Sequence, residues 1–144
     1  MKRVSDILQA KGHEIWSVTP DTTVFDALRT MADKRIGAVL VIEAGKLVGL
    51  FSERDYARKI ILVGKSSKDT PVREIMSSRL VCVRPDQFTA DCMTLMTENR
   101  IRHLPVVHGD KLLGVVTIGD VVKAIIAEKE EEIDQLHSYI TGAP

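Results

Sequence analysis

The sequence contains an internal repeat with a period of 65 residues. Residues 114–120 (Gly-Val-Val-Thr-Ile-Gly-Asp) follow the same plan as residues 49–55 (Gly-Leu-Phe-Ser-Glu-Arg-Asp). Each has a glycine, apolar β-forming residues, a hydroxyl residue, two variable positions and an aspartate. At this offset the chain aligns with itself without a gap from residue 18 to residue 62. A self-match of this length indicates a repeated structural unit, and we therefore predict two copies of one module.

Each copy is predicted to have the order β-α-β-β-α. The elements expected in the first copy are strand 15–18, a helix from residue 24, strands 36–42 and 47–51, and a helix from residue 52. Those expected in the second are strand 80–83, helix 89–99, strands 104–107 and 112–116, and a helix from residue 117. This order predicts an α+β fold with two small sheets. A copy of about fifty residues buries little surface alone, so we expect the copies to pack on each other.

The repeat and the composition of the connecting segments predict the domain boundaries. These are module 1 at 1–64, a polar linker at 65–71, module 2 at 72–127 and a helical tail at 128–144. Each module is expected to open with a short helical lead-in, at residues 4–8 and 72–76. The tail carries an apolar seam, which we define as Ile126, Ile133, Leu136 and Ile140. The seam is expected to pack either on its own chain or on a second copy.

Charge and cysteine content narrow the class of protein. Twenty basic and twenty acidic residues give no net charge, so no nucleic-acid or membrane partner is expected. The longest uncharged apolar run, 36–42, is too short to span a bilayer, and no secretory signal follows Met1. Cys82 and Cys92 lack metal-ligand spacing and read as reduced, buried hydrophobes. We predict a soluble cytoplasmic protein in which Trp16, Tyr56 and Met96 belong to the core.

A ligand-binding site is predicted where the last helix of each copy begins. Ser52 and Thr117 each follow a strand and start a helix, where unpaired N–H groups and the helix dipole favour a phosphate. Three residues later, Asp55 and Asp120 can accept the hydroxyls of a ribose. The same Ser-x-x-Asp and Thr-x-x-Asp segments also fit a capping box, in which the acid only reaches back to the cap N–H. Both interpretations stay open.

The two predicted sites are not equivalent. Arg54 and Arg58 lie four residues apart on one predicted helical face and can donate to a phosphate. The matching positions of the second copy are Gly119 and Lys123.

The paired modules resemble a tandem of cystathionine β-synthase (CBS) domains, also called a Bateman module. The resemblance covers residues 4–127 and rests on the lead-in Val-Arg-Glu-Ile-Met at 72–76, on Arg-Ile-Arg-His-Leu-Pro-Val-Val at 100–107, and on the two repeated stretches ending in Asp55 and Asp120. It implies pseudo-symmetric modules packed through their sheets, with clefts between them for adenosine-containing ligands. AMP, ADP, ATP, NAD and S-adenosylmethionine occur across the family.

The resemblance also implies which residues contact the nucleotide. They are Thr19, Ala38, Ser52, Arg54, Asp55, Arg58, Arg102, His103, Leu104, Pro105, Thr117, Gly119 and Asp120. The backbone of the Arg102–Pro105 stretch, which corresponds to residues 37–40 of the first copy, is expected to hydrogen-bond adenine. No catalytic or metal-binding residue is implied.

The predicted function is regulatory. The sequence suggests no Ser/His/Asp arrangement, activated nucleophile or metal cluster, so no enzyme activity is expected. We predict an adenine-nucleotide sensor that forms a homodimer and signals to an unidentified partner protein. The alternatives are a ligand-independent interaction or scaffold module, an S-adenosylmethionine sensor, and a small nucleotide-cleaving enzyme.

Overall fold

The computed structural model describes residues 1–142, which form two compact units. One unit is the continuous segment Ile15–Leu80, here called the inserted unit. The other joins Met1–Glu14 to the chain from Val81 onward and is called the discontinuous unit. Both combine small sheets with helices, which confirms the predicted α+β class.

The inserted unit contains a three-stranded sheet in the order β1-β2-β3. Its elements are β1 (Ser17–Val18), α2 (Val24–Lys34), β2 (Ala38–Glu43), β3 (Lys46–Ser52), α3 (Glu53–Tyr56), a π turn (Ala57–Ile61) and a 3₁₀ turn (Val72–Glu74). Strand β1 runs parallel to β2, and β3 runs antiparallel to it. Phe51, Val39 and Met31 are buried with neighbouring apolar side chains in one cluster, so α2 covers a face of this sheet.

The discontinuous unit repeats this pattern around the hairpin β4–β5. Its elements are α1 (Val4–Lys11), α4 (Thr89–Asn99), β4 (His103–His108), β5 (Lys111–Thr117) and α5 (Ile118–Thr141). The strand predicted at 80–83 is reduced to a single parallel bridge between Val83 and Val106. Its counterpart β1 is only two residues long. In both copies this strand has few residues that can pair, so the apolar pattern overstated its length.

The two hairpins share their register residue by residue. Ala38 pairs with Ser52 and His103 pairs with Thr117, and both ladders shift register at the same relative place, after Val41 and after Val106. A common bulge and common pairing are what a duplicated module should retain. The 65-residue repeat therefore corresponds to a structural repeat.

The lead-in segments belong to different units from those the module boundaries predicted. Helix α1 lies in the discontinuous unit, with Leu8 buried beside Gly114 of β5. Residues 65–80, including the 3₁₀ turn, lie in the inserted unit, with Met76 beside Gly49 of β3. Each lead-in thus joins the sheet of the other sequence repeat. Repeat order alone could not reveal this exchange.

The two repeat glycines have a packing role that explains why they recur. A Cβ built on Gly49 would lie 2.4 Å from the Met76 sulfur, and one built on Gly114 would lie 2.8 Å from a Leu8 methyl carbon. Both distances are shorter than a Cβ atom keeps from non-bonded atoms in proteins. The glycine that opens each repeated stretch therefore makes room for a lead-in side chain.

Three core predictions need correction or refinement. Trp16 was expected in the core but is 38% exposed, and the Lys34 ammonium lies 4.2 Å from the centre of its ring. Met96 and Cys92 are buried as predicted, whereas Tyr56 and Cys82 are only partly buried.

The predicted tail is not a separate element. Residues 128–141 continue α5, and the seam side chains are 52–80% exposed. The seam therefore does not pack on its own chain. Residues 143–144 of the predicted tail lie outside the described part of the chain.

Candidate functional site

Helix α3 begins with a complete capping box. The Asp55 N–H donates to Ser52 Oγ over 3.2 Å, and the Ser52 N–H donates to Asp55 Oδ2 over 3.0 Å. The Ser52 hydroxyl also lies 3.1 Å from Asp55 Oδ2. Asp55 is 9% exposed, so this carboxylate is held in place at the end of β3. We call this group the Asp55 site.

Helix α5 begins in the same way. The Asp120 N–H donates to Thr117 Oγ1 over 3.2 Å, and the Thr117 N–H donates to Asp120 Oδ2 over 2.9 Å. The capping interpretation is therefore correct at both helices. A capping carboxylate still has further lone pairs, so the cap does not exclude a ligand. We call this group the Asp120 site.

At each helix start, the first N–H of the helix is bonded to the residue that precedes a neighbouring strand. The Glu53 N–H donates to the Gly37 carbonyl over 3.1 Å, and the Ile118 N–H donates to the Arg102 carbonyl over 2.9 Å. Ala38 and His103 are the next residues, and they pair with the cap residues Ser52 and Thr117. The structure thus gathers Ala38 at the Asp55 site and Arg102 with His103 at the Asp120 site.

A lysine from its own helical segment neutralises Asp55. Lys59 Nζ lies 3.3 Å from Asp55 Oδ1 and donates to the Ile75 carbonyl over 2.9 Å. Lys59 lies in the π turn that follows α3. π turns often occur at functional positions in helices, and this one carries the lysine that pairs with the site carboxylate.

A lysine from a distant helix neutralises Asp120. Lys11 Nζ, at the end of α1, lies 2.6 Å from Asp120 Oδ2 and donates to the Val115 carbonyl over 3.0 Å. Burial alone would raise the pKa of Asp120, but hydrogen bonds from Lys11 and Thr117 and the Lys11 charge outweigh it. The net result is a pKa below the ordinary value. Asp120 is therefore a carboxylate at neutral pH.

His103 lies in a positively charged environment beside that carboxylate. Burial lowers its pKa, and the charges of Lys11 and Arg102 lower it further, while Asp120 acts in the opposite direction. At neutral pH His103 is therefore uncharged and can both donate and accept one hydrogen bond. The Asp55 site has Ala38 in this place and lacks such a group.

The arginines predicted for phosphate binding do not share a simple helical face. Arg54 lies in α3, but Arg58 lies in the π turn, so the four-residue spacing of an α-helix does not hold between them. Arg58 is exposed, as are Gly119 and Lys123 in the first turns of α5. These residues stand near the two helix starts in the chain.

Three other residues predicted to contact the nucleotide are placed less favourably for such a contact. Val18, the residue before Thr19, pairs with Val41. Thr19 therefore lies near the C-terminal end of β2, whereas Ala38 is its first residue. Leu104 is fully buried in the core. Pro105 is buried, has no N–H, and accepts the Val83 N–H at its carbonyl. Its backbone can therefore hydrogen-bond adenine only as an acceptor, and the contact at Pro105 stays a prediction.

The sequence reasoning missed the lysine at each site. Lys59 could have been found, because it stands four residues after Asp55 on a predicted helix. Lys11 is 109 residues from Asp120 in the sequence. No local pattern links two residues so far apart.

The arrangement offers binding groups. Each site combines an ordered carboxylate with a lysine ammonium, which suits sugar hydroxyls and anions respectively. Across residues 1–142, no group of three or more His, Cys, Asp or Glu side chains could hold a metal ion. None of the helices in that range is long and apolar enough to cross a membrane.

The sites lie in segments that match a known family. The family model for the CBS domain matches residues 4–62 and 72–127. A structure described as a signal-transduction protein with CBS domains, from Burkholderia ambifaria MC40-6, is 50% identical. The match covers 88% of this chain and 95% of that one, with a TM-score of 0.86.

Two further proteins extend the comparison. The CBS domain-containing protein CBSX3, mitochondrial, of Arabidopsis thaliana is 42% identical over 149 residues, which cover 96% of this chain and 72% of that protein. A CBS domain pair solved with 5′-methylthioadenosine and S-adenosyl-L-methionine is 21% identical. It matches with a TM-score of 0.77 over 89% of this chain and 98% of its own. At that identity the likeness is one of fold.

Proposed function

Because this chain belongs to the CBS domain family, we propose that it is a regulatory sensor of adenine nucleotides. AMP, ADP, ATP or NAD binds at the Asp55 and Asp120 sites, and the occupied protein signals to a partner protein. The similarity to a described signal-transduction protein supports the regulatory part. The proposal assigns this protein a binding role and no catalytic one.

The observation that carries this proposal is the repeated carboxylate at a helix start. Asp55 and Asp120 are held by the same two backbone-linked hydrogen bonds, although their surroundings differ. A carboxylate is an effective acceptor for the two hydroxyls of a ribose, and the helix N-terminus favours phosphate. The fold itself accommodates adenosine compounds, since a pair of this fold was solved with two of them.

The second candidate is a ligand-independent interaction module. The capping boxes favour it, because they give both aspartates a purely structural role. The S-adenosylmethionine sensor is the third candidate, and it rests on the ligands of one relative in fold. These candidates differ in what they predict for aspartate variants.

A ligand screen with aspartate variants tests the proposal. At a hundred times its dissociation constant, a nucleotide should stabilise the fold by about 2.7 kcal/mol. Asp120→Ala and Asp55→Ala should each weaken binding at their own site by roughly tenfold to a few hundredfold, since charge-assisted hydrogen bonds are lost. Asp110→Ala, in the exposed β4–β5 turn, is the matched control and should bind normally.

Calorimetric titration and thermal shift give the readout. If AMP, ADP, ATP and NAD all fail to shift the melting temperature at millimolar concentration, the nucleotide sensor is excluded. A shift with S-adenosylmethionine alone would favour the third candidate. Nucleotide binding that is unchanged in the Asp55→Ala, Asp120→Ala double variant would reduce both aspartates to helix caps.

We also propose that the chain forms a homodimer through α5. The seam residues Ile126, Ile133, Leu136 and Ile140 are exposed in the single chain, although their spacing is typical of a helix-pairing surface. Sedimentation at micromolar protein should give twice the 16.0 kDa chain mass. A chain ending at Glu128 should sediment as a monomer, and a dimer that survives this truncation would exclude the seam.

A cytoplasmic location is part of the same proposal. It rests on the free cysteines Cys82 and Cys92. The name of the Arabidopsis relative points to an organelle instead. Imaging of the tagged full chain in its own cells distinguishes the two.

A further inference from the structure

We propose that Lys11 makes the Asp120 site selective for adenosine compounds that carry a phosphate, against neutral or cationic ones. The inference rests on the proposed function and names the ligand class at one of its two sites. It concerns a residue from α1 that belongs to neither repeated stretch. Lys11 reaches the site only because α1 lies in the discontinuous unit.

The first step is that Lys11 occupies the carboxylate that would receive the ribose. Its Nζ lies 2.6 Å from Asp120 Oδ2, the same oxygen that accepts the Thr117 N–H. A ribose hydroxyl that donates to Asp120 must therefore share this carboxylate with an ammonium. A ligand that offers only hydroxyls gains less there than it would from an unpaired carboxylate.

The second step is that the ammonium is positioned to receive an anion. An ammonium has three donors, and two of them go to Asp120 Oδ2 and the Val115 carbonyl. Within residues 1–142 the third is not committed to the chain. The Lys11 side chain is 34% exposed, so a ligand can reach this donor. A phosphate attached to a ribose at Asp120 supplies the acceptor and the opposite charge.

The third step is the balance of charge around the site. Lys11 and Arg102 both lower the pKa of His103 through their positive charges, and Asp120 opposes them. This local excess of positive charge favours a phosphate and opposes a sulfonium or an amino group. S-adenosylmethionine carries both of these cationic groups, so it should bind this site poorly.

The Asp55 site supplies an internal comparison. Lys59 also pairs with its aspartate and donates to a backbone carbonyl, but its distance to the carboxylate is 3.3 Å and it is 44% exposed. Its contact with the carboxylate is longer, although the Asp55 side chain is more buried than that of Asp120. Arg54 and Arg58 also belong to this segment, so the preference for phosphate at the Asp55 site should depend less on Lys59 than the preference at the Asp120 site depends on Lys11.

The test compares AMP with adenosine, which differ only in the phosphate. Titrations use the full chain, its Lys11→Met variant and, as a matched control, Lys111→Met at the far end of β5 from Thr117. Lys11→Met should weaken AMP binding by about tenfold or more, because a charge-assisted contact is lost. Adenosine should bind as well as before or more tightly, and S-adenosylmethionine should gain affinity. Lys111→Met should change none of these values.

The outcomes separate this inference from the function on which it rests. If the wild-type chain binds neither AMP nor adenosine, both are overturned. If it binds them and Lys11→Met changes both affinities by the same factor, only the role of Lys11 is overturned. The same conclusion follows if the AMP affinity does not change. Repeating the pair of titrations in the Asp55→Ala chain must reproduce the loss of selectivity, and its disappearance there would also overturn the assignment to the Asp120 site.

Discussion

The Asp55 and Asp120 sites have the same helix cap and different cations. In both, a hydroxyl residue and an aspartate exchange hydrogen bonds across the first turn of a helix. Asp55 then pairs with a lysine four residues later, whereas Asp120 pairs with a lysine 109 residues earlier. The cap is therefore the part of the duplicated module that both copies keep, and the cation is the part in which they differ.

This difference shows how a repeat acquires unequal sites. The Asp55 pair joins two residues four apart in one helical segment, so it needs no distant helix to supply the cation. The Asp120 pair requires α1 to reach β5 and α5. Any change that displaces α1 therefore removes the cation from Asp120, whereas the Asp55 pair contains no residue of α1.

The largest expected effect comes from the side chains that anchor the two lead-ins. Leu8 is 1% exposed, so Leu8→Ala should lower the free energy of unfolding by about 2–5 kcal/mol. Met76 is the matched residue and is only partly buried, so Met76→Ala should cost about 1–2 kcal/mol. Urea unfolding of the two variants measures the difference. Equal losses would show that the lead-ins are energetically equivalent.

Removing the capping hydroxyls should have the next largest effect. Thr117→Ala and Ser52→Ala each remove the acceptor of an N–H in the first helical turn. Each should lower the free energy of unfolding by about 0.5–2 kcal/mol. Thermal unfolding compares them, with Thr97→Ala on the exposed face of α4 as the control. A loss at only one helix would break the equivalence of the caps.

Removing the lysines should have a smaller effect on stability. Lys11→Met and Lys59→Met break partly exposed ion pairs, so each should cost about 0.3–1 kcal/mol. Lys11→Met should also raise the pKa of Asp120, because it removes a hydrogen bond and a positive charge. Carboxyl carbon NMR during an acid titration measures this pKa. An Asp120 pKa that does not move would show that Lys11 is not its partner in solution.

The same shift has a consequence for acid stability. The folded pKa of Asp120 is lower than its ordinary value of 3.8. Its contribution is therefore fully present above about pH 4 and is lost as the pH falls through the folded value. Lys11→Met should lose less stability than the wild type over this acidic range.

The smallest expected effect is the titration of His103. Its folded pKa is lower than the ordinary value of 6.5, so the unfolded chain binds a proton first as the pH falls. Stability from this residue is present above 6.5 and decreases on acidification towards the folded pKa. His103→Gln should flatten this part of the stability profile measured by thermal unfolding. A profile that keeps its slope would assign the slope to other groups.

How much of the site could be predicted depended on sequence distance. Ser52 with Asp55, and Thr117 with Asp120, were found because a helix start is determined by residues three apart. Lys11 was not found, because its contact follows from the path of α1 through the fold. The recurring glycines Gly49 and Gly114 were recognised only as part of the repeat, and their role in making room for Met76 and Leu8 was not predicted.

The fold was predicted better than the grouping of its segments. The 65-residue repeat predicted both hairpins, and the observed registers match it. The exchange of lead-ins was missed. Residues 4–8 and 72–76 each precede one repeat in the sequence, but each packs on the sheet of the other repeat. Apolar periodicity indicates that a segment is buried and does not indicate by which sheet.

The insertion of one unit into the other also determines how the protein responds to mechanical tension. A pull between Met1 and the end of α5 acts on the two ends of the discontinuous unit, which are held together by contacts such as that of the Lys2 N–H with Glu128. Both ends of the inserted unit continue in the chain into the discontinuous unit. Tension therefore reaches the inserted unit only after the contacts of α1 within the discontinuous unit have broken.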